Sequence, residues 1–411
     1  MPPAPVASPV ESAFTVPDAA LREALDAVER SLRAVWPLKT AHRRELPPNI
    51  KLLSELLTAE RSQRDAKYLQ SPQAQAAYLH YFLPWNLLRL GMLLPRLDLD
   101  IPDGGTVIDL GSGPMTVLLA LWMARPELRT RRITAYCVDT AKKTMHLGLD
   151  LLKHMAGGDL PWHVHCVNEP LEKGLASIRH KADLLVAANV FNEMRWGRDD
   201  ILEEQVAAFT RTLLAACKPP LHGASVRALF VEPGNRLGGK LMGLARAGAV
   251  GSGWLPAGPC THAADCPQLA RNASFWCHFR LPALGTPQWL ADLTAKAGLP
   301  KQAVSLGYLA LARRPDAATA EGAATASGGV PPWPAVEPGQ GVARIISEGF
   351  TVPGHGGLAR YGCSERGLVL VLSRPRANEF DQLPPGCLVR FSWPEEITRD
   401  AKSGAIEVRL P

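Results

Sequence analysis

Aromatic residues are scarce in this chain of 411 residues, and several familiar sequence signals are missing. Phenylalanine, tryptophan and tyrosine make up 6% of it, while hydrophobic residues reach an ordinary 46%. We therefore expect a core built mainly from Leu, Val and Ala. No uncharged apolar run approaches the ~20 residues that span a bilayer, which argues against a membrane-spanning helix. The N-terminal segment lacks a charged stretch followed by an apolar one, so we expect no secretory leader and a cytoplasmic protein.

Composition and the spacing of apolar residues divide the chain into five segments. Helical spacing dominates the second segment, where Asp18 is the expected N-cap of the first helix. Strands then alternate with helices, which predicts an α/β fold with a parallel sheet covered on both faces. The segments are a disordered Pro/Ala-rich tail (1–17), an N-terminal helical region (18–100), the α/β domain (101–314), an Ala/Gly/Pro linker (315–340) and a small β domain (341–411).

A glycine-rich loop follows the first predicted strand, in the sequence VIDLGSGPMT. The strand brings Asp109 to its C-terminal end. Gly111 and Gly113, on either side of Ser112, let the backbone approach a ligand, and ligands bind at this edge of an open α/β sheet. Asp139 ends the second strand, where a carboxylate can accept hydrogen bonds from two ribose hydroxyls. Together these residues predict a cofactor that contains adenosine.

The spacing of the glycines distinguishes two classes of cofactor. A dinucleotide site needs G-x-G-x-x-G at the start of a helix, whereas this loop reads G-S-G-P-M. The acidic residue and two close glycines resemble D/E-x-G-x-G-x-G, the first motif of class I S-adenosylmethionine methyltransferases. Met115 replaces the third glycine. We therefore predict S-adenosylmethionine, with the Met115 side chain near its methionine end.

The segment AANVFNEM follows the fourth predicted strand, where substrate-facing residues often lie. Asn189, Asn192 and Glu193 are its polar residues. We predict that Asn189 contacts the cofactor and that Asn192 and Glu193 are candidate catalytic residues, with Glu193 as the candidate general base. The alternative is that Glu193 caps the turn or supports the fold. The N-P-P-Y tetrad of base-amino methyltransferases is missing from the chain.

Three cysteines stand close together in AGPCTHAADCPQLARNASFWCHF, within an expected insertion at 255–280. Cys260, Cys266 and Cys277 have the spacing C-x5-C-x10-C, and the C-x2-4-C pairs of zinc fingers do not occur. In a reducing compartment such cysteines are thiols or metal ligands rather than disulfides. An iron–sulfur cluster takes four cysteines, often with a remote fourth. A zinc ion held by three cysteines and one histidine is the alternative.

The fourth ligand has to come from elsewhere in the chain or from a nearby histidine. Cys363, in a turn of the β domain, is the first candidate and Cys387 the second. His262 and His278 are the candidates for zinc. A group shared with Cys363 would join the β domain to the α/β domain across the linker.

Positive charge exceeds negative charge, with 45 Lys and Arg against 39 Asp and Glu. The sequence RTRR, with Arg129, Arg131 and Arg132, is one basic stretch. The surroundings of the cysteines are also basic, with Asp265 as the acid. Such an excess favours contact with RNA phosphate. The basic residues around the cysteines are Arg236, Lys240, Arg246, Arg271 and Arg280.

The cysteine segment and its surroundings resemble a known family. A V-E-x-G strand end, followed by P-C-P-H, C-P and W-C-H-F, occurs in the mitochondrial small-ribosomal-subunit-associated methyltransferase-like proteins and their bacterial relatives. Here the pattern runs from Val231 to Phe279, with Thr261 in place of a proline. The sequence RDAKYLQSPQAQAAYLHYFLP, the glycine loop and RYGCSERG extend the resemblance over residues 60–375.

This resemblance implies a class I methyltransferase fold, bound S-adenosylmethionine and action on the small ribosomal subunit and its RNA, in assembly or translation. The alternative is a non-catalytic assembly or binding factor with a structural iron–sulfur or zinc site. The resemblance also implies a four-iron four-sulfur cluster held by Cys260, Cys266, Cys277 and Cys363.

Overall fold

The structure is a computed structural model of the 411-residue chain. Residues 1–10 of the expected tail and most of the expected linker lie outside the residues that it describes. The described residues are 11–58, 71–198, 200–219, 225–271, 273, 275–313, 333, 336–352, 357–373 and 383–410.

Helices precede the central sheet, as predicted. The first begins after the predicted N-cap, Asp18, whose carboxylate accepts a hydrogen bond of 2.8 Å from the amide of Leu21. None of the helices in the described ranges combines the length and the apolar character that a membrane crossing requires. The helices are α1 (Ala19–Val35), α2 (Thr40–Thr58), α3 (Pro72–Ala77), a π-helical turn (Tyr78–Phe82) and α4 (Leu83–Leu93).

Residues 11–17 are not disordered, so the prediction for this part of the tail is wrong. Phe14 is 4% exposed, and its ring packs against the rings of Phe279 and Tyr308, with centroids 5.1 and 5.8 Å away. Burial of one aromatic side chain anchors this segment, although its Pro/Ala-rich composition suggested a chain without a packed core.

A sheet of eight strands lies at the centre of the molecule. Its strands are β1 (Gly105–Leu110), β2 (Ile133–Val138), β3 (Trp162–Val167), β4 (Leu184–Ala188), β5 (Val226–Pro233), β6 (Trp254–Gly258), β7 (Phe279–Pro282) and β8 (Ala303–Arg313). They are ordered β3-β2-β1-β4-β5-β8-β6, and β7 also pairs with β8. The first five strands are parallel, whereas β8 is antiparallel to β5, β6 and β7. The predicted α/β fold is confirmed.

Helices cover both faces of this sheet. Successive residues of a strand point to opposite faces, and Val107 and Ile108 of β1 accordingly belong to two separate hydrophobic cores. The helices between and after the strands are α5 (Thr116–Ala124), α6 (Lys142–Met155), α7 (Leu171–Ser177), α8 (Leu202–Ala215), α9 (Arg236–Val250) and α10 (Gln288–Lys296).

The cysteine segment is held at both ends by the central sheet. It leaves β6 and returns through β7, and both strands pair with β8. These two strands are missing from the sequence prediction because they are short and because β6 contains proline and glycine, which usually interrupt strands.

A second sheet of six strands forms the C-terminal part of the chain, as predicted. Its strands are β9 (Gln340–Ile345), β10 (Phe350–Thr351), β11 (Leu358–Ser364), β12 (Gly367–Leu372), β13 (Leu388–Ser392) and β14 (Ile406–Arg409). They are ordered β13-β9-β11-β12-β14, with β10 beside β11. Cys363 lies on β11, near the hairpin to β12, rather than in a turn.

Candidate functional site

A small cavity lies at the C-terminal edge of the parallel strands, beside the glycine loop. Its volume is about 20 Å³, the space of one or two water molecules. The predicted cofactor residues Asp109, Gly111, Ser112 and Asn189 line it.

Asp109 is the central polar group of this cavity. Its side chain is 1% exposed, and neither carboxylate oxygen has a hydrogen-bond partner among the described residues. Burial, followed by the nearby charge of Asp139, raises the pKa of Asp109 well above its usual value. A buried carboxylate without a partner is costly. The arrangement therefore fits a ligand that carries a hydrogen-bond donor or a positive charge.

Asp139 does not line the cavity but holds the glycine loop. Its Oδ2 accepts a hydrogen bond of 2.8 Å from the amide of Gly113, and its Oδ1 accepts one of 2.7 Å from the amide of Ala141. Each oxygen keeps a second lone pair, so the predicted ribose contact is compatible with this geometry and stays a prediction.

Met115 takes the backbone conformation that favours glycine. Its φ is 57°, in the left-handed region, at the N-cap of α5. Its side chain is fully buried in the hydrophobic core and does not line the cavity. The expectation that this side chain lies near the methionine end of the cofactor is therefore not met.

The segment after β4 is held by a glutamate of β5. Glu232 accepts hydrogen bonds from the amide of Phe191 (2.8 Å) and from Nδ2 of Asn192 (2.6 Å). Its burial raises the pKa of Glu232 to about 7. Asn192 and the exposed Glu193 do not line the cavity, so their catalytic roles stay predictions. The sequence analysis did not predict this role of Glu232. The available signal was its position as an acidic residue at the end of an apolar strand.

The N-terminal helices contribute a wall of the cavity that the sequence analysis missed. Tyr78, Asn86 and Arg89 line the cavity opposite the sheet. Their signal in the sequence is weak, because polar residues at helical spacing occur on most helices. Their contact with this cavity depends on the packing of α4 against α5.

A second cavity lies between the cysteine segment and the C-terminal sheet. Its volume is about 40 Å³, and all four predicted cluster ligands line it. Cys387 lies elsewhere, 1% exposed within the core of the C-terminal sheet. The structure thus brings the first candidate for the fourth ligand to the other three cysteines. The four are Cys260, Cys266, Cys277 and Cys363.

Two basic side chains accompany these cysteines. Arg246 Nε donates a hydrogen bond of 3.3 Å to Cys260 Sγ, and Arg344 also lines the cavity. His262 Nε2 lies 3.4 Å from Cys363 Sγ, whereas His278 lines a different cavity.

Burial keeps most of these thiols protonated in the absence of a bound group. It raises the pKa of Cys266 to about 11, and it raises the pKa values of Cys277 and Cys363 well above the usual range. Metal binding requires thiolates, so a bound group would displace protons from this cavity.

The cysteine cavity does not have the geometry of a single-ion site. Within the described ranges, no group of three or more His, Cys, Asp or Glu residues is arranged to hold one metal ion. Zinc needs ligand atoms ~2.0–2.3 Å from a single centre. An iron–sulfur cluster is bound through separate iron atoms and needs its four thiolates around a larger space. The four cysteines line one cavity, and the choice between an iron–sulfur cluster and zinc stays a prediction.

The arginines of the basic stretch RTRR serve the local fold. Arg129 donates to the carbonyls of Trp122 and Met123, and Arg132 pairs with Asp103. Arg246 is 4% exposed, so it is not available to RNA phosphate. The exposed basic residues around the cysteine segment are Arg236, Lys240, Arg271 and Arg280.

Several solved structures resemble this fold. A protein assigned to the class I S-adenosylmethionine-dependent methyltransferases of Listeria monocytogenes is 13% identical over 72% of this chain and 88% of its own, with a TM-score of 0.33. An uncharacterised protein from Burkholderia thailandensis is 13% identical over 73% of this chain and 95% of its own, with a TM-score of 0.36. The magnesium protoporphyrin IX methyltransferase of Synechocystis is 12% identical over 64% and 99%, with a TM-score of 0.29. Such low similarity concerns the fold alone.

Sequence comparison identifies the family. No curated protein sequence matches the chain. The model of the family described as mitochondrial small ribosomal subunit Rsm22 matches residues 74–327. This range is more than half of the chain and contains the residues that line the cavity beside the glycine loop, together with Cys260, Cys266 and Cys277. With that coverage, the chain belongs to the Rsm22 family.

Proposed function

We propose that the protein is a methyltransferase that uses S-adenosylmethionine and acts on the small ribosomal subunit, on its RNA or during its assembly or translation. One observation carries the proposal: Asp109 is a buried carboxylate beside a glycine loop, without a hydrogen-bond partner among the described residues. When bound, the cofactor supplies a methyl group on positively charged sulfur. The proposed cofactor contacts are Asp109, Gly111, Ser112, Gly113, Asp139 and Asn189.

The side chains around the cavity would bind and orient rather than react. Methyl transfer depends mainly on the alignment of the acceptor with the methyl group. Glu232 fixes the backbone at Phe191 and Asn192, which positions the segment after β4. An acceptor that must lose a proton needs a base, and exposed Glu193, next to this segment, is the proposed group.

Equilibrium binding of S-adenosylmethionine to the full chain tests the proposal. We expect the wild type to bind and Asp109→Ala or Asp139→Ala to lower the affinity about tenfold or more, because each removes a charged partner. Asp150→Ala, in an exposed part of α6, is the matched control and should bind as the wild type does. A wild-type chain that never binds the cofactor contradicts the proposal.

Methyl transfer itself is tested with small ribosomal subunits that lack the modification. We expect a labelled methyl group to pass from S-adenosylmethionine to small-subunit RNA in the presence of the wild type, and not with Asp109→Ala. Binding of the cofactor without transfer would favour the non-catalytic alternative.

We further propose that Cys260, Cys266, Cys277 and Cys363 hold a four-iron four-sulfur cluster. Two observations support this proposal. The four cysteines line one cavity. Arg246 and Arg344 line the same cavity, and their positive charge would offset the negative charge of the thiolates. A bound cluster would link the central sheet to the C-terminal sheet covalently.

Metal and sulfide analysis of anaerobically purified protein tests the cluster. We expect about four iron and four sulfide per chain in the wild type, a loss of both in Cys363→Ser, and no loss in the matched control Cys387→Ser. About one zinc per chain without sulfide would instead support the zinc alternative.

A second candidate function is a non-catalytic factor that binds the small subunit. It is favoured by the surface of the cysteine segment, where Trp276 stacks on His278 and exposed Arg236 lies 5.6 Å from the Trp276 ring. Aromatic and arginine side chains of this kind stack on unpaired RNA bases. This function predicts salt-sensitive binding to small subunits that persists in Asp109→Ala. Loss of binding in that variant would contradict it.

A further inference from the structure

A cavity of about 340 Å³ lies between α4 and α10. Trp85 of α4 forms one wall, and Ala291, Thr294 and Ala295 of α10 form another. The loop Gly298–Lys301, which follows α10, contributes a third. This volume is within the range of pockets that hold small molecules, ~300–1,000 Å³. The cavity shares no lining residue with the one beside the glycine loop, so it is a separate candidate site.

The half-buried Lys301 brings a positive charge to this cavity. Of the described residues that line it, Lys301 alone is charged. Its Nζ lies 4.5 Å from the centroid of the Trp85 ring and 5.8 Å from that of the Tyr81 ring. Within the part of the chain that the structure describes, this ammonium group has no hydrogen bond or ion pair. Aromatic faces attract a cation but carry no net charge, so the ammonium group lacks a counter-ion.

The surroundings of Lys301 disfavour its charged form. Burial, followed by the positive charge of Arg89, lowers the pKa of Lys301 to about 7. The two aromatic rings act in the opposite direction, because they attract the ammonium form. Burial raises the pKa of Tyr81, which therefore stays neutral, and the charged residues of α10, Asp292 and Lys296, are exposed and do not line the cavity. A negative group beside Lys301 would favour its protonated form.

The remaining walls of the cavity are mainly apolar, and their hydroxyl groups already donate to the backbone. Thr286 donates a hydrogen bond to the carbonyl of Ala283 (2.8 Å), and Thr294 donates one to the carbonyl of Leu290 (2.6 Å). The segment 283–287, which precedes α10, contains no ionisable residue. A ligand that fills this space therefore needs an apolar body and one group that can balance the charge of Lys301.

We propose that this cavity binds a small molecule with an apolar body and a single carboxylate, and that the carboxylate pairs with Lys301. The inference is independent of the proposed function, because neither S-adenosylmethionine nor RNA takes part in it. An occupant would contact Trp85 of α4, the helix that also supplies Arg89 to the cavity beside the glycine loop.

The single positive charge of the cavity selects the charge of its ligand. One carboxylate balances one ammonium group. A second negative charge, as in a phosphate dianion, would lie against apolar walls without a partner, which is costly. A neutral ligand would leave the ammonium group unpaired, and a cationic ligand would be repelled by it.

Three ligands of one shape test this selection. Phenylpropanoate, phenylpropanamide and phenylpropylamine share an apolar body and carry a negative charge, no charge and a positive charge. Hexanoate is the aliphatic carboxylate, and inorganic phosphate is the anion without an apolar body. Isothermal titration calorimetry measures their affinities for the full chain. Lys296→Met is the matched control variant, because Lys296 is exposed at the end of α10 and does not line the cavity.

We expect the wild type to bind phenylpropanoate about tenfold or more tightly than phenylpropanamide, as for a charge-assisted hydrogen bond. This ratio should fall to near one in Lys301→Met and should be kept in Lys296→Met. Phenylpropylamine and phosphate should bind more weakly than phenylpropanoate.

Proton uptake on binding identifies the group that pairs with the carboxylate. Calorimetry in two buffers of different ionisation heat measures it. At about pH 8 the unliganded Lys301 is mostly neutral, so binding of the carboxylate should take up a proton. At about pH 6 the amine already carries its proton, and the uptake should vanish. Lys301→Met should show no uptake at either pH.

The comparison of ligands and the proton uptake need only the wild type, so an unstable variant does not prevent the test. A wild type that binds phenylpropanoate no more tightly than its amide overturns the proposal, as does one that binds neither phenylpropanoate nor hexanoate. Phosphate that binds as tightly as the carboxylates overturns the need for an apolar body. A ratio that persists in Lys301→Met overturns the role of Lys301.

Discussion

The amide of Gly113 donates a hydrogen bond of 2.8 Å to Oδ2 of Asp139, which ties the glycine loop after β1 to the end of β2. The other carboxylate oxygen is bonded to the amide of Ala141. Asp139 therefore organises the loop in the absence of a ligand, in addition to any contact that it makes with the cofactor.

The substitution Asp139→Asn should weaken both the loop and cofactor binding. An amide offers one oxygen where the carboxylate offers two, so one of the two backbone amides loses its acceptor. We expect the free energy of unfolding to fall by about 1–2 kcal/mol and the affinity for S-adenosylmethionine to fall about tenfold. Urea denaturation and calorimetric titration measure the two effects. Unchanged values in both would show that the hydrogen bond to Gly113 does not organise the loop.

The close approach of α6 to the glycine loop depends on Gly148. A Cβ atom at this position would lie 2.2 Å from the carbonyl oxygen of Pro114, which is backbone and cannot turn away. We expect Gly148→Ala to lower the free energy of unfolding by about 1–3 kcal/mol and to weaken cofactor binding. The matched control is Gly251→Ala, where the nearest atom is 3.4 Å away, and its effect should stay within about 0.5 kcal/mol. Equal stabilities of the two variants would contradict this prediction.

The sheet and the glycine loop could be predicted because their signals are local. An apolar strand that ends at Asp109, followed by Gly111 and Gly113, needs no information about the rest of the molecule. The same holds for the cap at Asp18 and for the spacing of the three clustered cysteines. The choice of Cys363 over Cys387 came from the residue pattern, and the structure brings Cys363 to the other three.

The rest of the site could not be predicted because it depends on tertiary packing. Arg89 reaches the cavity only because α4 packs on α5 and a π-helical turn shifts its register. Phe14 is anchored by rings that lie more than 260 residues later in the chain. From the sequence, Arg246 was expected to be a surface charge, whereas the structure buries it against the cysteine segment. Composition and spacing carry no signal for such contacts.

Glu232 should make stability depend on pH. Burial raises its pKa from 4.5 to about 7, so between these values the folded chain holds a proton that the unfolded chain has released. The contribution of Glu232 to the free energy of unfolding is therefore largest below about pH 4.5 and is lost as the pH rises through about 7. We expect the melting temperature of the wild type to fall more between pH 5 and pH 8 than that of Glu232→Gln.

Thermal denaturation of the two proteins across this pH range measures the effect. The difference between their melting temperatures should change with pH up to about 7 and then level off. Glu395→Gln, with an exposed side chain in the C-terminal part of the chain, is the control and should follow the wild type. A constant difference between the wild type and Glu232→Gln would show that Glu232 titrates at its usual pKa.

Arg246 should be essential to the cysteine segment. Its Nη2 donates to the carbonyls of His262 (2.9 Å) and Ala264 (2.7 Å), and its Nε donates to Cys260 Sγ. We expect Arg246→Met to lower the free energy of unfolding by about 2–4 kcal/mol, because it leaves the buried carbonyl of His262 and the carbonyl of Ala264 without this donor. The iron content per chain should fall with it, since the loop that carries Cys260 loses its support.

The matched control is Arg236→Met, an exposed arginine on the same helix, α9. This variant should keep both the stability and the iron content of the wild type, although it should bind small subunits less tightly if its side chain contacts RNA. Arg246→Lys separates charge from geometry, because lysine keeps the positive charge but lacks the planar group whose Nη2 reaches the two carbonyls while its Nε reaches Cys260 Sγ. Full iron content in Arg246→Lys, with reduced stability, would mean that charge holds the cluster and the hydrogen bonds hold the fold. Full iron content in Arg246→Met would show that neither is needed for the cluster.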